Sequence, residues 1–171
     1  PPFVPLKPST DDILKLAAGF RYDILLRFGQ PLNKSGDLFG FNNDYLAYLT
    51  LDPRTPYDGL LWVNHEYHDP YYCGGWRPGM ARTVKQVALE RKSVGGSIVH
   101  IRRTKESPWA MVPDSPYNRR LDAFTPIPFA GGVKVLGKKS AIGTFGNCAG
   151  GVTPWGTVLT CEENYANFVG E

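Results

Sequence analysis

The 171-residue sequence contains no apolar run near the roughly 18 residues that a membrane-crossing helix requires. Its first residues, Pro1-Pro2-Phe3-Val4-Pro5, lack the basic-then-apolar pattern of an export leader. Either no leader ever preceded them or the chain starts after one. Cysteine is scarce: Cys73, Cys148 and Cys161 form no Cys-x-x-Cys pair, and any intrachain disulfide leaves one thiol over. The redox compartment is therefore open. No Gly-x-Ser-x-Gly elbow is present, which argues against a serine hydrolase. Gly132 to Lys138 has the spacing of a phosphate loop, but Lys139 stands where the magnesium-binding hydroxyl belongs. Clustered basic charge is missing as well. The net charge is only +3 and the doublets Arg91-Lys92, Arg102-Arg103, Arg119-Arg120 and Lys138-Lys139 are scattered, so nucleic-acid binding is not expected.

What the chain does contain is turn chemistry. Gly 19 and Pro 15 make up nearly a fifth of it without a repeat period, which suits many short strands joined by turns. Residues 1–20 read as a proline-rich arm followed by one short helix, Ile13 to Ala18, capped by Ser9-Thr10-Asp11-Asp12 and closed by Gly19. Residues 21–171 read as mainly β. Strands are expected over 21–28, 45–51, 59–64, 97–102, 109–112, 132–136 and 156–161. A second helix is expected over Thr83 to Lys92, with Val84, Val87 and Ala88 on one face.

One internal repeat organises this pattern. Thr55-Pro56-Tyr57-Asp58-Gly59, an apolar strand and His65-Glu66-Tyr67 parallel Thr153-Pro154-Trp155-Gly156, an apolar strand and Glu162-Glu163-Asn164-Tyr165. In both, a glutamate stands seven residues after the glycine, which pairs Glu66 with Glu163. Gly95-Gly96-Ser97-Ile98-Val99-His100-Ile101-Arg102, a polar turn and Trp109-Ala110-Met111-Val112 form a hairpin pattern. The expected architecture is a β-propeller of four-stranded blades, an incomplete part of a larger ring, because propellers usually close with more blades than this length supplies.

Three clusters carry candidate chemistry. In Asn147-Cys148-Ala149-Gly150-Gly151 a lone cysteine lies among glycines that allow close backbone approach. Its thiolate suits iron, copper or zinc, and a small packed cysteine is the alternative. Glu162 and Glu163 alternate across a strand, so one of them faces any shared site, and the repeat selects Glu163. Glu66 and Asn64 share parity and offer oxygen ligands suited to calcium. The loop Phe41-Asn42-Asn43-Asp44-Tyr45 also offers oxygens, although turn chemistry explains it equally well. Asn118 and Arg119 are candidate phosphate contacts, since a guanidinium fork matches phosphate oxygens.

Together Gly40-Phe41-Asn42-Asn43-Asp44, Leu61-Trp62-Val63-Asn64-His65-Glu66-Tyr67, Asn118-Arg119-Arg120, and Asn147-Cys148-Ala149-Gly150-Gly151 with Cys161-Glu162-Glu163-Asn164 resemble the PhoX-type alkaline phosphatases. The resemblance runs from about Arg21 to the end. It implies the N-terminal portion of a propeller phosphatase, exported to the periplasm or cell surface, that hydrolyses phosphate monoesters with an iron and calcium cluster. It makes Cys148 an iron ligand and a glutamate of Cys-Glu-Glu, by the repeat Glu163, a further metal ligand. Glu66 and Asn64 are additional metal candidates, and Glu162 a last one or a supporting residue behind them. The remaining ligands are expected beyond residue 171, from the rest of the propeller. A calcium-dependent propeller lactonase or esterase and a non-catalytic propeller binding module are the alternatives.

Overall fold

A computed structural model describes residues 3–166. The order of elements is β1 (Asn43–Thr50), β2 (Asp58–His65), α1 (Pro70–Gly74), α2 (Val84–Ser93), β3 (Gly95–Arg102), β4 (Ala110–Met111), β5 (Arg119–Leu121), β6 (Pro126–Pro128), β7 (Ser140–Ile142), β8 (Asn147–Val152) and β9 (Val158–Glu162). Strands β1 to β4 pair antiparallel in sequence order, and β5 also pairs with β3. β6–β7 and β8–β9 are separate two-stranded hairpins. Among the described residues no helix is long and apolar enough to cross a membrane.

The core lies against the central sheet. Leu32, Phe39, Val63, Val99 and Ile101 form its buried centre, with Leu25, Leu26, Leu61, Trp109 and Met111 packed around them. Leu25 and Leu26 reach it from an unpaired segment, so the strand expected over 21–28 is an apolar cover and not part of the ladder. The chain then turns into α2 through a capping box: Thr83 Oγ1 accepts from Gln86 N, and the Gln86 side chain accepts from Thr83 N. Helix α2 forms where the sequence predicts one, but the face it buries is not the Val84, Val87 and Ala88 face. Val84 is 88% exposed, whereas Glu90 and Ser93 are the residues it buries.

Two further expectations are corrected. No helix forms over Ile13 to Ala18. Ser9 Oγ does accept from Asp11 N, as a cap would begin, yet Ile13 and Leu14 remain exposed. A helix of six residues with no surface to bury is not stable in water. The strand expected over 132–136 is interrupted as well. Leu136 and Gly137 both take left-handed φ and reverse the chain between Val135 and Lys138, the geometry of a tight hairpin turn.

Arg120, on β5, ties the start of β3 to the end of α2. Its guanidinium donates to the carbonyls of Lys92, Val94 and Gly96 and to Ser97 Oγ. Burial lowers its pKa to about 10, which leaves it charged at neutral pH. These four bonds fix the position where β2 and β3 begin their pairing beside His65.

Candidate metal-binding and active site

The hairpins β1–β2 and β8–β9 are built to one plan. Asn43 pairs with His65 in the first and Asn147 with Glu162 in the second. Both ladders then slip by a bulge, before Leu46 and before Gly150. The residue after each second strand donates back to the residue before each first strand: Glu66 N to Asn42 O at 3.0 Å, and Glu163 N to Gly146 O at 2.7 Å. Asn42 and Gly146 both have positive φ, 50° and 65°. Glu66 is therefore the structural equivalent of Glu163, as the sequence repeat indicates. The same register makes Asp44 the equivalent of Cys148, each sitting in its hairpin's bulge.

These equivalent positions meet. The ligand atoms of Asp44, Glu66 and Cys148 all lie within 4.8 Å of one another. Gly150 permits the approach, because a Cβ there would run into the Tyr45 ring on β1. Underneath, Asn147 is wholly buried and bonds to Thr144 and Thr160, and Thr160 Oγ1 donates to Asn64 Oδ1 at 3.0 Å. Asn64 Nδ2 in turn donates to Cys148 O at 2.6 Å. The cysteine's backbone is thus held by β2 itself.

The electrostatics favour a cation. Hydrogen bonding to the Asp44 carboxylate, then burial, then Glu66, push the Cys148 thiol up to about 12. Two carboxylates facing a thiol repel its anionic form, and a cation placed between them removes that penalty and favours the thiolate. Two hard oxygen donors and one soft sulfur form a donor set that can hold a metal ion.

The chain matches the family described as Alkaline phosphatase PhoX over residues 2–171. The chain belongs to the PhoX alkaline phosphatase family. Among solved structures it is similar to Pseudomonas fluorescens PhoX in complex with vanadate, a transition state analogue, with 31% identity and a TM-score of 0.79. That similarity covers 96% of this chain and 32% of that one, so the chain spans about a third of its relative's length. No curated protein matches it.

In this PhoX-family chain the residues singled out from sequence fall into different places. Cys148 and Glu66 are in the cluster. Glu163 is exposed beside it, close enough to act electrostatically on Tyr67 together with Glu66 and Cys148. Glu162 faces away and braces the entry to β8, its Oε1 accepting from Thr144 Oγ1 at 2.8 Å and Phe145 N at 3.2 Å. Asn64 lies beneath the cluster: Trp62 Nε1 and Thr160 Oγ1 donate to its oxygen, and its amide donates to Cys148 O and Ala149 O.

Asn118 is placed away from the cluster. It is buried, accepts from His100 N at 2.7 Å and donates to the carbonyls of Leu32 and Val112. Arg119 is exposed on β5, opposite Ile98, with β3 and β2 between it and β1. Asp44 lies in the loop that offers oxygen donors as readily as turn chemistry, and the cluster brings its carboxylate beside Glu66 and Cys148. The signal that reveals it is a longer repeat, Phe41-Asn42-Asn43-Asp44 against Phe145-Gly146-Asn147-Cys148, in which phenylalanine and asparagine recur and the donor changes.

Proposed function

We propose that this chain supplies part of the metal site of a phosphomonoesterase, with Asp44, Glu66 and Cys148 as ligands and Glu163 as a further one. The observation that carries the reading is the convergence of two equivalent bulge residues and a strand-end glutamate within 4.8 Å. Iron suits the Cys148 thiolate, and calcium suits the carboxylates of Asp44, Glu66 and Glu163. When bound, such ions neutralise phosphate charge and stabilise the attacking and leaving oxygens. The chain's own contribution is positional. Asn64 and Asn147 hold the ligand strand in register, Gly150 brings it against β1, and Glu162 steadies the loop that leads into it.

Family membership and the relative's vanadate complex support phosphate esters as the substrate class. Because the chain spans about a third of that relative, activity belongs to whatever completes the site, and we read the β hairpins as portions of propeller blades. A periplasmic or secreted location follows from the same family reading. The lactonase alternative requires Cys148 merely to pack, which its place between two carboxylates does not favour.

Elemental analysis combined with a phosphomonoester assay on the full-length protein that completes the site tests the proposal. The expected result is bound iron and calcium, with both metal content and turnover falling at least tenfold in Cys148→Ala. Active protein without iron, or a Cys148→Ala variant with unchanged turnover, overturns it.

A further inference from the structure

Between β2 and α2 the chain leaves the sheet and returns, and one side chain meets it three times. Glu90, on α2, is only 3% exposed. Its Oε2 pairs with Arg82 Nη2, just before the helix, and lies 3.5 Å from His68 Nε2, shortly after β2. Its Oε1 packs on the end of α1, where a Cβ on Gly74 would come within 2.7 Å of it. The start, middle and end of residues 68–82 therefore touch a single buried carboxylate.

Within itself the segment is well bonded. Asp69 accepts from Tyr71 N at 2.8 Å and Tyr72 N at 3.0 Å, and Trp76 Nε1 donates to Met80 O at 2.7 Å. The Arg77 guanidinium lies 3.6 Å over the Tyr71 ring. Helix α1 buries no residue. A unit with its own bonds and little buried apolar surface opens at a lower free energy than the sheet it borders. One feature of the contact opposes closure. Glu90 Oε1 is buried with no hydrogen-bond partner among the described residues. That oxygen gives up hydration, which the Arg82 pair must offset, and opening returns it to water. On its other side the segment stacks Tyr72 on Phe41, 22° from parallel with centroids 6.1 Å apart, and Phe41 stands three residues before Asp44.

We infer that residues 68–82 form a flap that opens as a unit beside the loop carrying Asp44, and that Glu90 is the clasp that holds it shut. The inference is independent of the metal reading, since no member of the cluster forms the clasp.

Hydrogen exchange of the full-length protein, read by mass spectrometry, tests it. Cys73 N donates to Asp69 O and Trp76 N to Pro70 O, so both amides are protected while the flap is closed. Arg82→Met takes the guanidinium from Glu90, and exchange over 69–76 should rise at least tenfold, with peptides from β2 and β3 at the parent rate. Glu90→Gln removes the buried charge together with the pair and should raise exchange by a smaller factor. Added to Arg82→Met it should slow exchange again, because it removes the charge that the first change leaves without a guanidinium. Parent-like exchange over 69–76 in Arg82→Met overturns the clasp. An equal rise in β2 and β3 overturns the flap as a separate unit, and a double variant that exchanges faster than Arg82→Met overturns the part given to the Glu90 charge.

Discussion

At Cys148 the decisive quantity is charge. Asp44 and Glu66 hold the thiol protonated up to about 12 unless a cation enters, so the residue is poor in reactivity and rich in affinity. Asp44 should matter as much as the cysteine: Asp44→Asn is expected to lower metal content at least tenfold, checked by elemental analysis of the purified variant. Away from the site, Asp58 offers a pH handle. The Arg102 guanidinium and then His100 hold its carboxyl below the usual range. Because the folded value lies under the unfolded one of about 3.9, its contribution is complete above that pH and is lost as pH falls through the folded value. Tyr48 is the other titratable group it acts on. Asp58→Asn should be less stable by about 0.5 kcal/mol at pH 7, the effect being screened at a carboxyl one quarter exposed, and should converge with the parent in acid. Urea denaturation at both pH values checks this. Side-chain chemistry explains which residues the sequence made legible. A cysteine among glycines and a glutamate repeated at fixed spacing point to ligands. Asn64 and Asn118 do not declare themselves, because the same amide can hold an ion or a backbone, and only burial with four or three bonds decides between them.

The hairpin is the element that makes the site. In β8, Gly150 lets the ligand strand lie against Tyr45, and Gly150→Ala should cost about 2 kcal/mol by forcing the ring and strand apart. The same variant should lose metal as well as stability, measured by thermal unfolding and elemental analysis together. Helix α2 provides the contrast. Thr83→Ala removes half of its capping box and should cost about 1 kcal/mol while leaving metal content unchanged. Elements with local determinants were legible: the helix that starts at Thr83, and the long β2 and β3 with their turn signals. Those decided by tertiary contact were not. Leu25 and Leu26 satisfy a strand pattern but find the core without a partner strand, and Ile13 and Leu14 satisfy a helix pattern but find nothing to bury them. The bulges were hidden for another reason: positive φ at Asn42 and Gly146 is a backbone property shared by two different residue types.

For the whole molecule, the proposed metal site would couple ion binding to the joining of two hairpins that the backbone ladders leave separate. Stripping metal should therefore loosen the β1–β8 contact and lower the unfolding midpoint of the full chain. At free metal 100 times the dissociation constant the difference is about 2.7 kcal/mol, read by calorimetry with and without chelator. The paired hairpins have a second consequence. Their strands, slips and left-handed entry residues coincide, yet one bulge offers a carboxylate and the other a sulfur. The scaffold is close to symmetric and the chemistry is not; in the proposed metal site the choice between kinds of ion would rest on that pair of positions, and altering Asp44 or Cys148 should retune what is bound with the hairpin frame unchanged. A duplicated hairpin thus leaves its structural half fixed and its chemical half free to diverge.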